Sequence, residues 1–298
     1  MLLSQLPDDV LYCILSYLDY KSLSRLSQVC RSIYHFVNRD AVWRNIAKEF
    51  LNTGITRNGT DIYPHIPLKE RVKIAQNWYD GVCRKAIPLK WKLNNGKILV
   101  HSRRKDMSME LRGPNQEVNC LDSKNGLIIS GSRDEQQSSF VTGTACCENF
   151  SPLHIWDVER LECVCSLGTE FRRGAGVLDM VFESPFQLLT CGYDTFIRLW
   201  DLRLSPRKCA MEWEEPHDSA LYCIQTDGNY MIASGSSYYG VVRLWDKRQA
   251  KCLQFFQLSS EMVSSPVYCL RFCSSHLFAA LATTLHSLDF RHSPIPIR

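Results

Sequence analysis

At 298 residues, with 45% hydrophobic and 22% charged residues, the chain is long enough for one large domain or two modest ones and has an ordinary globular composition. Its net charge of +4 sits at the front: residues 1 to 85 carry 12 Lys and Arg against 8 Asp and Glu, while residues 86 to 298 carry 23 of each, so charge implies no nucleic-acid partner. No apolar run approaches the roughly 18 residues of a membrane span, and Asp8 and Asp9 interrupt any secretory leader.

The first 50 residues read as helical. Pro7 sets φ for a first turn, and Asp8 and Asp9 place negative charge where a helix dipole favours it. Val10, Leu11, Ile14, Leu15 and Leu18 then form a stripe wider than one packing face needs, so part of it is expected to meet a partner. After a break at Asp19 and Tyr20, the spacing of Leu23, Leu26, Val29, Cys30, Ile33 and Val37 predicts a second helix, closed by Asn38, Arg39 and Asp40. Trp43 is expected to pack back as an anchor. The segment carries more apolar surface than so short a stretch can bury against itself.

The order LP, ILSYL, L..L..VCR and a lone W followed by R resembles the F-box, a helical module. The bland alternative is an unrelated hairpin whose wide stripe is all core. The resemblance implies docking onto a Skp-type adaptor, and through it onto cullin and RING subunits, by Leu6, Pro7, Val10, Leu11, Ile14, Leu15, Leu18, Leu23, Leu26, Val29, Cys30 and Trp43. Ser32 and Ile33 stand where many F-boxes carry a Trp.

Residues 52 to 67 are rich in Gly, Thr, Asn and Pro, a surface connection. Residues 68 to 79 return to helical spacing through Val72, Ala75 and Trp78, with Gly81 as a stop.

From residue 86 the period changes to short β runs, and they repeat. LHIWDV, IRLWDL and VRLWDK place Trp156, Trp200 and Trp245 at intervals of 44 and 45 residues, each after a run of small residues, and LHSLDF at 285 to 290 ends a weaker fourth copy. This period and the WD dipeptide resemble the WD repeat, which builds one propeller blade per repeat. The resemblance implies structural roles for Trp156, Asp157, Thr190, Asp194, Trp200, His217, Ser234 and Trp245, with His217 completing a buried network with Ser234 and Trp245. One pair of inner strands (117 to 134) runs straight into another second-strand signal (138 to 144), so a repeat period is expected to be missing near residues 135 to 137.

The expected fold is α+β and multidomain: an all-α F-box (1–50), a helical linker (51–85) and an all-β WD-repeat propeller (86–298) of four to five blades, the first ones degraded. The succession resembles the F-box/WD-repeat family. It implies a non-catalytic substrate-recognition subunit of a ubiquitin ligase, acting by proximity. The alternative is a WD-repeat scaffold without ligase function. Family members that read phosphorylated substrates use an arginine at the place of Arg133, and Arg172 and Arg173 could add charge for a phosphorylated protein substrate.

No G-x-S-x-G, Walker-type or H-E-x-x-H motif occurs, and the 14 cysteines lack C-x-x-C spacing with companion histidines, so no catalytic residue, metal or cofactor is expected. Reduced thiols and a cytoplasmic or nuclear location are the corresponding expectation.

Overall fold

The computed structural model describes residues 6–85, 89–90, 97–102, 107–112, 121–124, 127–130, 139–143, 153–157, 162–168, 171, 174–204, 208–217, 219–259 and 265–291; between 89 and 164 it describes side chains only at 153 and 155. Among the described residues five helices come first: α1 (Asp8–Leu15), α2 (Tyr20–Leu26), α3 (Arg31–Val37), α4 (Asp40–Glu49) and α5 (Leu68–Asp80). The single helix expected from Leu23 to Val37 is in fact two. The Ser27 hydroxyl donates back to the Ser24 carbonyl at 2.7 Å, and Cys30 is extended (φ −156°, ψ 164°) before α3 starts. Serine competes for its own backbone, which favours an end over a helix interior.

Leu11, Leu15, Leu23, Val37, Val42 and Trp43 meet in one core, completed from beyond the helical hairpin by Leu68 and Val72 of α5. Asp40 caps α5 across space, its Oδ1 accepting the Leu68 N–H at 3.0 Å. The loop before α5 is held by Arg71, whose buried guanidinium donates to both Asp61 oxygens (2.8 and 2.7 Å) and to the Thr53 carbonyl (2.9 Å). At the other end Gly81 takes φ 69°, and the N–H groups of Gly81 and Val82 bond the carbonyls of Trp78 and Asn77. That double bond is the helix stop that a left-handed glycine makes.

The other described elements are strands, all paired antiparallel. The strands are β1 (Arg84–Lys85), β2 (Leu89–Lys90), β3 (Lys97–Ser102), β4 (Met107–Arg112), β5 (Leu121–Lys124), β6 (Leu127–Ser130), β7 (Ser139–Gly143), β8 (Leu153–Asp157) and β9 (Glu162–Leu167). They continue with β10 (Val177–Ser184), β11 (Gln187–Gly192), β12 (Phe196–Asp201), β13 (Met211–Glu214), β14 (Leu221–Thr226), β15 (Met231–Ser236), β16 (Val241–Asp246), β17 (Cys252–Gln257), β18 (Cys269–Phe272), β19 (His276–Ala280) and β20 (Thr284–Asp289). β10 to β13 and β14 to β17 are four-stranded sheets in sequence order. β3 with β4 and β5 with β6 are hairpins, and β7 to β9 form a three-stranded sheet.

The final sheet is built from both ends of this region. β18, β19 and β20 are joined on their outer edge by β1 and β2, with Arg84 opposite Asp289 and Leu89 opposite Leu285. Arg84 and Lys85, expected in the helical linker, therefore belong to the sheet. An edge strand has unmet N–H and C=O groups, and the segment leaving α5 is the one that reaches them.

Candidate interaction surfaces

The helical module turns its apolar stripe two ways. Leu11, Leu15, Leu23 and Trp43 point into the module's own core, Trp43 at 1% exposure with its indole N–H on the Val37 carbonyl at 2.7 Å. Leu6, Leu18 and Leu26 are half-buried against that core. Pro7, Val10, Ile14, Val29 and Cys30 stand on the surface. From Pro7, just before α1, the outward residues Val10 and Ile14 continue at helical spacing into Tyr17, just past its end and 85% exposed. Sequence reasoning missed Tyr17, although the period of Val10 and Ile14 extends to it. Beside this row a cleft of about 320 Å³ opens between α1 and α3, lined by Leu6, Leu11, Leu26, Ile33 and Phe36 and crossed by the Asp8–Arg39 ion pair at 2.7 Å.

The module is fastened to the sheets through α5 and the loop before it. Trp78, fully buried, stacks on Phe290 with ring centroids 3.7 Å apart and donates its indole N–H to the Ser274 carbonyl at 2.9 Å. Asn77 donates to the Phe290 carbonyl (2.6 Å), Asn52 to the Cys273 carbonyl (2.9 Å) and Arg57 to the Asn229 carbonyl (2.7 Å). The Asn52 N–H also bonds the Asp227 carboxylate, whose pKa burial raises despite this and other N–H donors. Leu51, Ile74 and Trp78 share one core with Met231, Leu244, Leu277 and Phe290. The sheet residues that make these hydrogen bonds, Asp227, Asn229, Cys273, Ser274 and Phe290, lie in turns at one end of their strands.

Within the sheets, Trp200 donates to the Thr190 hydroxyl and Trp245 to the Ser234 hydroxyl, each at 2.9 Å. Asp194 accepts from the Arg198 guanidinium in its own hairpin. His217 does not join the Ser234–Trp245 pair: its side chain is exposed, and among the described residues only its carbonyl is engaged, by Ser219 at 3.4 Å. The buried acid from that loop is Glu215, which accepts both of its bonds from Arg243 Nε (2.8 and 2.6 Å). With the Glu215 N–H fixed on the Thr195 carbonyl, the chain turns outward before residue 217. β8 carries Trp156 and Asp157, whose side chains lie outside the described residues, as do Arg133, Arg172 and Arg173.

A feature the sequence reading passed over recurs at the end of the third strand. Asp201, Asp246 and Asp289 each accept from the backbone N–H and the guanidinium of the arginine two residues on, Arg203, Arg248 and Arg291. Arg203 holds the pKa of Asp201 at about 2. Asp289 is also held at about 2, where burial works upward and Arg291 and His276 outweigh it. The D-x-R spacing was there to be read.

Comparison with known proteins agrees with this architecture. Residues 3–49 match the F-box-like family model and residues 207–246 the WD domain, G-beta repeat model. F-box/WD repeat-containing protein 4 of Homo sapiens is 43% identical, covering 97% of this chain and 93% of the human protein. The chain belongs to the F-box/WD-repeat family. The protein of the same name from Mus musculus shows the same identity and coverage. The solved WD40 propeller domain of Doa1 matches 66% of this chain and 62% of its own, at 16% identity and a TM-score of 0.42. The alignment to the human F-box/WD-repeat protein spans 382 residues against the 298 here, so part of that alignment has no counterpart in this chain. Proteins of this family are typically non-catalytic adaptors.

Proposed function

We propose that this protein is a substrate-recognition subunit of a Skp/cullin/F-box type ubiquitin ligase, its F-box docking the adaptor and its repeats holding the protein to be ubiquitinated. The observation that carries this reading is the joint. The helical module, with an outward apolar row of Val10, Ile14 and Tyr17, shares a buried core with the last two sheets through Leu51, Ile74 and Trp78. A receptor whose task is proximity needs such stiffness, because effective concentration collapses when the two binding sites move independently. The chemistry would reside in the cysteine of the ubiquitin carrier that the RING subunit recruits, in cytoplasm or nucleus.

The test is co-expression of the full chain with a Skp-type adaptor, followed by size-exclusion chromatography. A Val10→Asp, Ile14→Asp double variant should lose the complex while keeping its melting temperature, since substitutions on an exposed face cost about 0.5 kcal/mol or less. If the wild-type chain forms no complex, the protein is a WD-repeat scaffold without ligase function.

A further inference from the structure

The sheet ends facing away from the helical module carry four tyrosines in one place. In each of the three last sheets the start of the inner strand pairs with the end of the second: Val177 with Gly192, Leu221 with Ser236, Cys269 with Ala280. Tyr193 follows Gly192, Tyr238 lies just past Ser236, Tyr222 is the second residue of β14, and Tyr268 precedes β18. All four therefore sit on one face, and the joint to α5 and the loop before it uses the opposite turns, at Asp227, Asn229, Cys273 and Phe290.

The rings of Tyr222 and Tyr268 meet edge to face at 5.7 Å and 87°, bridging neighbouring sheets. Tyr193, Tyr238 and Tyr268 are about half exposed. Burial, with the nearby hydroxyls of Tyr193, Tyr268 and Tyr238, pushes the Tyr222 pKa up, so the phenol stays neutral. The backbone beneath is fixed. Tyr193 N–H bonds the Gly176 carbonyl (2.9 Å), Tyr268 N–H the Ala280 carbonyl (2.9 Å), and the Ser236 hydroxyl donates to the Tyr238 carbonyl (2.9 Å).

Elsewhere in this protein exposed or half-buried aromatic faces already hold a cation: Arg57 and Arg248 lie over Tyr230, Lys69 over Tyr34, Arg198 over Phe171 and Arg243 over Phe255. Among the described residues none lies over these four tyrosines. The nearby Arg271 donates to the Leu270 carbonyl of its own strand at 2.9 Å.

We propose that Tyr193, Tyr222, Tyr238 and Tyr268 form a cage for a lysine or arginine side chain of the protein that the propeller binds. The proposal deepens the substrate-receptor reading and rests on it. Ring faces attract a cation through their quadrupole, most strongly where water is partly excluded, and a pre-ordered aromatic cluster loses little entropy on binding. The ring faces offer this attraction to a cation and not to a neutral or anionic side chain.

The test uses the full chain and fluorescence anisotropy with a labelled Gly-Lys-Gly-Lys-Gly peptide, the same peptide acetylated on both lysines, and a Gly-phosphoserine-Gly-phosphoserine-Gly peptide. The lysine peptide should bind, acetylation should weaken it about 10-fold, and Tyr222→Leu with Tyr268→Leu should weaken it as much. Tyr222→Phe with Tyr268→Phe keeps the ring faces and should bind within about 2-fold of wild type, which separates loss of the cage from loss of the fold. Equal binding of the free and acetylated peptides, no binding of either, or indifference to the Leu variant would overturn the cage. Tighter binding of the phosphoserine peptide, lost on neutralising Arg133, Arg172 and Arg173, would overturn it in favour of phosphate recognition. Any of these results with an intact adaptor complex leaves the receptor reading standing; a wild-type chain that never binds the adaptor removes that reading itself.

Discussion

Trp200 and Trp245 are almost wholly enclosed, so each indole N–H must find an acceptor inside the protein, and Thr190 and Ser234 supply it. Ser234→Ala should therefore leave a buried donor unmet and cost about 1–3 kcal/mol, read as a lower urea midpoint with unchanged slope. The same scale governs acid stability. Asp201 and Asp289 are held at about 2 in the folded chain, below the ordinary carboxylate value, and Arg71 lowers Asp61 as well. A carboxylate depressed by folding stabilises the protein above its unfolded pKa and loses that contribution as pH falls through its folded one. Urea midpoints measured from pH 5 to pH 2.5 should fall most steeply below about pH 4, and a flat profile would show that these pairs contribute nothing. Tryptophan, threonine and serine at repeat spacing were legible in the sequence. His217 was misread because a loop residue's direction depends on the turn before it, and there Glu215 takes the inside place.

Among the elements, α5 shows how much a helix can be asked to do. One side, with Leu68 and Val72, completes the core of the helical module, and the other, with Ile74 and Trp78, enters the core of the sheets. Its length and stop were readable from periodicity and Gly81; its two-sided burial was not, because a helix pattern gives the apolar positions and not what covers them. At Gly81 the backbone is left-handed, and an added Cβ would come within 2.8 Å of the Gln254 side-chain oxygen, whose amide donates to the Tyr79 carbonyl. Gly81→Ala should accordingly lower stability by about 1 kcal/mol, a shift of a few degrees in melting temperature; an unchanged value would mean that the stop adjusts freely. The same limit explains the break between α2 and α3. Hydrophobic spacing runs on through Val29 and Cys30, but Ser27 and the extended Cys30 decide the ends.

For the molecule as a whole, the joint makes helices and last sheets one mechanical unit. Trp78→Ala would remove the stack on Phe290 and orphan the Ser274 carbonyl, a cost of about 3–5 kcal/mol. Hydrogen exchange should then show α5 and β18 to β20 losing protection together; loss confined to α5 would mean that the two parts open separately. Sequence alone determined the order of parts, the F-box and WD-repeat resemblance and the repeat period, because hydrophobic spacing and short motifs are local properties of the chain. It also led to the expectation of one missing repeat period near residues 135 to 137, which lie outside the described residues. Only the tertiary structure decided which face of α1 is left outward, that β1 and β2 complete the last sheet, and that four tyrosines from three sheets share one face. Those facts depend on residues far apart in the chain being brought together, and no spacing along the chain records which distant segment meets an unpaired edge or an uncovered ring.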